Sequence, residues 1–182
     1  MQSKFSASSL SALVFSYPAL AFSGSRHASS AAAASAAAFL PLVSGFSGSV
    51  GVGCARGVDS LVRSAFPSAQ VFSVSSFLVG GRVSRASFAL RSSALVHWVV
   101  SAGGLLVVFP STACPAGVAP SASFRGCGSG SWGSAALAVG LGVPVLLFVP
   151  ASLGSVFPAL SVLASRFRLL GSALGGSWWL CE

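Results

Sequence analysis

Short apolar runs alternate with longer, often alanine-rich segments along this chain, and this alternation limits its fold more than any other feature. Each run is bounded by Gly, Pro or Ser, and the five runs lie at residues 19–22, 49–52, 70–74, 105–109 and 145–149. Continuous apolar runs are typical of strands buried on both faces of a parallel sheet. We therefore expect a Rossmann-like, doubly wound α/β fold, with a mainly parallel five-stranded sheet and helices on both faces.

The segments between these runs predict the helices. They are expected over about 29–39, up to about 66, over about 86–100 and up to about 141. Residues 1–18 are predicted to be an N-terminal extension and residues 19–150 the Rossmann-like domain. Residues 151–182 are predicted to be a C-terminal helical tail, with its helix at 157–170.

The composition first suggests a membrane protein. Hydrophobic residues make up 54% of the chain and charged residues 7%, and the mean hydropathy is +0.87, whereas a soluble domain usually has about 25% charged residues. However, the chain has no Asn or Ile and consists mostly of amino acids whose codons need no adenine. We infer an adenine-poor coding strand, which sequencing the gene would test. Such a bias inflates the hydropathy, and it yields the net charge of +8 without selection for nucleic acid.

Two features of the sequence are alternatives to the cytoplasmic location that we expect: a possible membrane span and a possible signal peptide. Residues 135–163 are apolar enough to suggest a membrane span, but six Gly and Pro residues interrupt them. We expect no stable membrane insertion, and a small membrane protein remains an alternative. Lys4, the apolar residues 10–22 and Ala19-Leu20-Ala21 imitate a cleaved signal peptide. We favour a buried first strand there, although the sequence leaves the signal peptide open.

Two glycine- and serine-rich loops join strand regions to helix starts. They are Gly24-Ser25-Arg26 and Gly128-Ser129-Gly130-Ser131. Glycine lets backbone N–H groups approach an anion, and a helix N-terminus adds unpaired donors and partial positive charge. Strands one and four flank the ligand crevice of a doubly wound sheet, so both loops are expected to reach it. The pattern predicts phosphate binding, although either loop alone is equally consistent with a simple turn.

Three charged residues extend this candidate site. Asp59 either binds a ribose hydroxyl or pairs with an arginine at the start of its helix, and we favour the pairing slightly. Arg56 is either a phosphate ligand or a solvated partner of Asp59. Arg91 either points toward the crevice or lies on the surface.

A family resemblance follows from these motifs. Gly24-Ser25-Arg26 and Ala55-Arg56-Gly57-Val58-Asp59 resemble the G-S-R and A-R-G-[IV]-D segments of the DNA-processing protein A family. Gly128-Ser129-Gly130-Ser131 resembles the G-S-G-T loop of the wider superfamily, which includes LOG-like nucleotide hydrolases and sensors of nucleotide signals. Over residues 19–150, the resemblance implies a Rossmann-like domain that binds a nucleotide, a nucleotide-derived signal or single-stranded DNA.

The sequence departs from the enzymes of this superfamily. Aligning the G-T of the hydrolase motif puts Ser134 where those enzymes have a glutamate, so we expect binding without catalysis and name no catalytic residue. A nucleotide phosphoribohydrolase remains an alternative. The four cysteines and two histidines lack zinc-ligand spacing, so we expect no metal and no cofactor. The apolar composition makes a homo-oligomer an additional expectation.

Overall fold

A computed structural model describes residues 5–27, 29–126, 128–153 and 162–182. Its α-helices are α1 (Ala7–Phe15), α2 (Ala31–Phe39), α3 (Val58–Ala65), α4 (Arg85–Ser101) and α5 (Gly130–Gly140). Its strands are β1 (Ala19–Gly24), β2 (Ser49–Gly53), β3 (Gln70–Phe72), β4 (Leu105–Phe109), β5 (Val145–Pro150), β6 (Arg168–Ala173) and β7 (Gly176–Cys181). The five predicted strands and the helices between them are confirmed, with bounds shifted by at most a few residues.

The strands form one mixed sheet in the order β3-β2-β1-β4-β5-β7-β6. The first five strands in this order are parallel, whereas β7 runs antiparallel to both β5 and β6. Because β1 pairs with β2 on one side and with β4 on the other, the strand order reverses between β1 and β4. The sheet is therefore mostly parallel and Rossmann-like, and its switch point lies where the sequence predicted it.

The predicted five-stranded sheet and helical tail are wrong, because the C-terminal residues add a β-hairpin. Strands β6 and β7 are joined by Leu174 and Gly175, which both have positive φ, as a two-residue hairpin turn requires. Trp178 fixes the hairpin by burying its ring against Phe39 and Phe148, with centroids 5.1 and 5.0 Å away. Residues 157–161 of the predicted helix at 157–170 lie outside the described residues.

Two hydrophobic cores lie on opposite faces of the sheet, as predicted. Strand β1 supplies both, because Leu20 and Phe22 face one core while Ala21 faces the other. The first core contains buried residues of α1, α2 and α3, and the second contains those of α4 and α5. The N-terminal extension therefore contributes α1, whose Leu10 and Val14 are fully buried. Among the described residues, no helix combines the length and apolar character needed to cross a membrane.

Candidate functional site

A cavity of about 660 Å³ opens at the carboxyl ends of β1 and β4. Its volume lies within the usual range of small-molecule sites, and its position is where open α/β sheets bind ligands. The walls come from the loop after β1, the start of α3, the N-terminal half of α4, and the segment that leads into α5. The cavity thus combines chain segments that are far apart in sequence.

The loop after β1 is held firmly by its own backbone. The Ser25 N–H donates to the carbonyl of Phe109 at the end of β4, and the Ser25 carbonyl accepts from the N–H of Val58. Gly24 packs so closely on α3 that a Cβ there would lie 2.6 Å from Val58. This loop therefore joins β1, β4 and α3. Its close packing against α3 explains why residue 24 is a glycine.

The loop before α5 borders open space. Gly128 has a φ of 83°, which favours glycine, and a Cβ on Gly128 or Gly130 would meet no atom of the described residues within 4 Å. Ser129 caps α5 without a side-chain hydrogen bond to the helix. The first turn of a helix has no intrahelical partners for its N–H groups. This end of α5 therefore offers donors and a partial positive charge to an anion in the cavity.

A buried ion pair joins α3 to α4 at the wall of the cavity. Arg91 Nη1 donates to Asp59 Oδ2 at 3.1 Å, and the side chains are only 10% and 5% exposed, respectively. The same oxygen accepts from the Ala55 N–H at 3.1 Å. Within the part of the chain that the structure describes, Arg91 Nε is buried without a hydrogen-bond partner. Gly53 permits this arrangement, since a Cβ there would overlap the Arg91 guanidinium.

Burial controls the protonation of Asp59. Removal from water raises the pKa of this carboxyl, and the charge of Arg91 and the Ala55 N–H oppose the increase. A second arginine, Arg63, donates to the carbonyls of Gly53 and Ala55 at 2.7 and 3.0 Å. Arg63 therefore shapes the backbone that holds Asp59, rather than binding the carboxylate itself.

The cavity is electrically suited to an anion. Arg26, Arg85 and Arg91 line it, and Asp59 is its only acidic side chain. The whole chain has only one other acidic residue, Glu182, which pairs with Arg168 at the protein surface. The lining therefore has an excess of positive charge.

The structure brings together every predicted site residue except Arg56. Those that line the cavity are Gly24, Ser25, Arg26, Asp59, Arg91, Gly128, Ser129, Gly130 and Ser131. Arg56 is exposed and is absent from the cavity wall. Asp59 pairs with Arg91 rather than with Arg56. Ser134 is buried and its hydroxyl donates to the Gly130 carbonyl within α5.

Sequence reasoning missed the apolar part of the lining. Phe88 and Leu95 face the cavity from α4, and Phe124 lies on the opposite loop. A signal existed in α4, because Arg85, Phe88, Ser92 and Leu95 follow the three- and four-residue spacing of one helix face. No comparable periodicity marks Phe124, which lies in an irregular segment.

Comparison with known proteins finds no matching family model, curated protein or solved structure. Across the described ranges, no three His, Cys, Asp or Glu side chains are grouped so that they could hold a metal ion. The class defined by fold and site is therefore a Rossmann-like α/β protein with a positively charged cavity at the sheet switch point.

Proposed function

We propose that this cavity binds the phosphate of a nucleotide or nucleotide-derived ligand, and that it does so without catalysing a reaction. The observation that carries the proposal is Arg91, a cavity-lining arginine whose buried Nε has no hydrogen-bond partner among the described residues. A phosphate oxygen is a strong acceptor for such a donor. The excess of arginine over acidic side chains supports the same ligand class.

The two loops supply complementary contacts to the phosphate. The backbone before α5 offers N–H groups beside the small residues Gly128 and Gly130, where no side chain blocks access. On the other side, Arg26 offers an exposed guanidinium on a loop that backbone hydrogen bonds join to β4 and α3. Backbone donors and a guanidinium together favour a doubly charged phosphate over a single carboxylate.

The hydrogen bonds that Asp59 already accepts support the proposal of binding without catalysis. Its carboxylate accepts hydrogen bonds from Arg91 and the Ala55 N–H, so it is held in a structural role. Ser134, where the resembling hydrolases have glutamate, is buried and hydrogen-bonded inside α5. A carboxylate base of the kind that those hydrolases use is therefore not free at this site.

Membership of the superfamily that contains DNA-processing protein A and the LOG-like proteins is part of the same proposal. It is supported by the order of the three motifs along β1, β2 and α5, together with the β3-β2-β1-β4-β5 strand order. This function predicts a cytoplasmic protein, because free nucleotides are kept inside cells. Single-stranded DNA is the competing ligand that the experiment below distinguishes.

A thermal-shift panel tests the proposed function. The panel contains AMP, ADP, cyclic nucleotides, nucleotide sugars and a short single-stranded DNA, with adenosine as the control that lacks phosphate. A phosphate-bearing nucleotide at 100 times its dissociation constant should stabilise the protein by about 2.7 kcal/mol. No shift with any phosphate compound, or an equal shift with adenosine, contradicts the proposal.

Two further readouts separate the alternatives. Affinity for DNA should fall steeply with added salt, whereas affinity for a mononucleotide should change much less. Incubation with the stabilising nucleotide, followed by chromatography, should return the nucleotide intact. Release of a free base would restore the phosphoribohydrolase alternative.

A further inference from the structure

Phe88 lines the cavity but does not pack into a hydrophobic core of the described residues. It occupies the first turn of α4, is half-buried and lines the cavity. It belongs to neither of the two hydrophobic cores, nor to the residues packed against them, in the part of the chain that the structure describes. Phe124, the aromatic ring on the opposite wall, packs against the second core. Phe88 is therefore the aromatic side chain in this cavity that folding does not account for.

Arg26 covers the face of this ring. Its guanidinium carbon lies 4.6 Å from the Phe88 ring centroid, in the geometry of a cation–π contact. Arg26 is exposed, and both acidic side chains of the protein are paired with other arginines, Asp59 with Arg91 and Glu182 with Arg168. An exposed cation–π contact is weak, so Arg26 is held over the ring by an interaction that a ligand can replace.

We propose that Phe88 is the platform on which the ligand's base stacks, and that Arg26 leaves the ring to bind the ligand's phosphate. The proposal rests on the proposed function and narrows its ligand to phosphates that carry a flat aromatic base. A bare sugar phosphate would gain the phosphate contacts but not the stacking.

The positions of the groups suit such a ligand. Phe88 and Arg91 are three residues apart on α4, about one helical turn, and both line the cavity. Every nucleobase has a π-face, so a phenyl ring accepts purines and pyrimidines alike. When a base replaces Arg26 on the Phe88 ring, a weak cation–π contact gives way to a stronger stacking contact. The Arg26 guanidinium is then free to form a charge-assisted hydrogen bond with the phosphate.

Calorimetric titration of the full chain with AMP and with ribose 5-phosphate tests this inference. Phe88→Ala should weaken AMP binding about tenfold or more and leave ribose 5-phosphate binding unchanged. Arg26→Gln should weaken both ligands, because it removes a phosphate contact. Leu90→Ala is the matched control, since Leu90 is on the same helix, is 49% exposed and lies outside the cavity.

Phe88→Leu provides a second variant, because it retains apolar volume while removing the π-face. It should show the same selective loss for AMP as Phe88→Ala, provided that both variants unfold at temperatures near that of the wild type. If Phe88→Ala does not fold, the leucine variant alone carries the test.

The outcomes separate the two proposals. Tight binding of both ligands, unchanged in the Phe88 variants, overturns the stacking platform and leaves phosphate binding intact. Equal weakening of AMP and ribose 5-phosphate by Phe88→Leu also overturns it, since the ring would then only shape the cavity. No binding of either ligand, and none of any nucleotide in the panel, overturns the proposed function and the platform with it.

Discussion

The two loops that border the cavity use glycine for opposite reasons. After β1, Gly24 touches Val58, and the facing Gly57 has a φ of 65° and no room for a Cβ beside the Ser25 carbonyl. Before α5, Gly128 and Gly130 face open space. In the first loop glycine permits close packing of the chain on itself, whereas in the second it leaves space beside a helix N-terminus.

This difference distinguishes a loop that stabilises the fold from a loop that is a candidate ligand contact. The loop after β1 is joined by backbone bonds to β4 and to α3, the helix that carries the buried Asp59, so changes there should cost stability. The loop before α5 supports little packing, so changes there should cost ligand affinity. The following predictions test this division, beginning with the largest expected effect.

Removing the buried carboxylate of α3 should have the largest effect. Asp59→Ala leaves Arg91 buried without its partner, and breaking such a pair typically costs about 3–5 kcal/mol. Urea denaturation should show this loss in the free energy of unfolding. Glu182→Ala removes the exposed pair with Arg168 and is the control, with an expected cost below about 1 kcal/mol. Equal effects of the two variants would contradict the scaffold role of Asp59.

Gly57→Ala should be the next most harmful change. The new Cβ would force a strained positive φ and would overlap the Ser25 carbonyl, at a combined cost of about 3 kcal/mol. Gly103→Ala has the same type of φ, at 60°, but open space around it, so it should cost only about 1 kcal/mol. The difference between the two unfolding free energies combines the contact of Gly57 with the Ser25 carbonyl and the extra cost of the Gly57 backbone, whose ψ is −127°. If both variants lose the same stability, close packing at Gly57 is not important.

Gly130→Val should change binding but not folding. The side chain fits the open space, so the free energy of unfolding should change by less than about 0.5 kcal/mol. It would occupy the room beside the α5 N–H groups, and losing charge-assisted hydrogen bonds there should weaken nucleotide affinity about tenfold or more. Gly45→Val is the control outside the cavity, where the nearest atom to a Cβ is 3.9 Å away. Unchanged affinity in Gly130→Val would refute a ligand contact at this loop.

The smallest expected effect is a pH dependence of stability from Asp59. Burial raises the pKa of this carboxyl above 3.8, so the folded state binds the proton more tightly than the unfolded state does. The free energy of unfolding should therefore fall as pH rises from 3.8 through the raised pKa. Asp59→Asn, which cannot titrate, should lack this slope. The contrary result is a difference in free energy of unfolding, wild type minus Asp59→Asn, that increases over this interval. Folding would then favour ionised Asp59, and its pKa would be lowered rather than raised.

The sequence predicts the parallel part of the fold well, because short apolar runs and helical segments each report on local burial. It fails at the C-terminus for a tertiary reason. Trp178 and Leu180 face one core while Trp179 and Cys181 face the other, so β7 is buried on both faces and shows no polar alternation. The two-residue turn also begins at Leu174 rather than at a residue that favours positive φ, so its signal is weak.

The sequence predicted the loop residues that line the cavity, but it missed the contacts that depend on packing. The glycine loops follow from their places after β1 and before α5. The partner of Asp59 did not follow, because Arg91 lies 32 positions away and only the folded sheet brings the two together. Arg56, the nearer arginine in sequence, lies on the surface.

A crystal structure with ADP at saturating concentration shows directly whether the cavity is a nucleotide site. We expect nucleotide in the cavity between β1 and β4, with phosphate oxygens about 3 Å from the first N–H groups of α5. It also predicts an arginine of the cavity wall within hydrogen-bond distance of the same phosphate. An empty cavity, or a nucleotide bound elsewhere on the protein, would contradict the account.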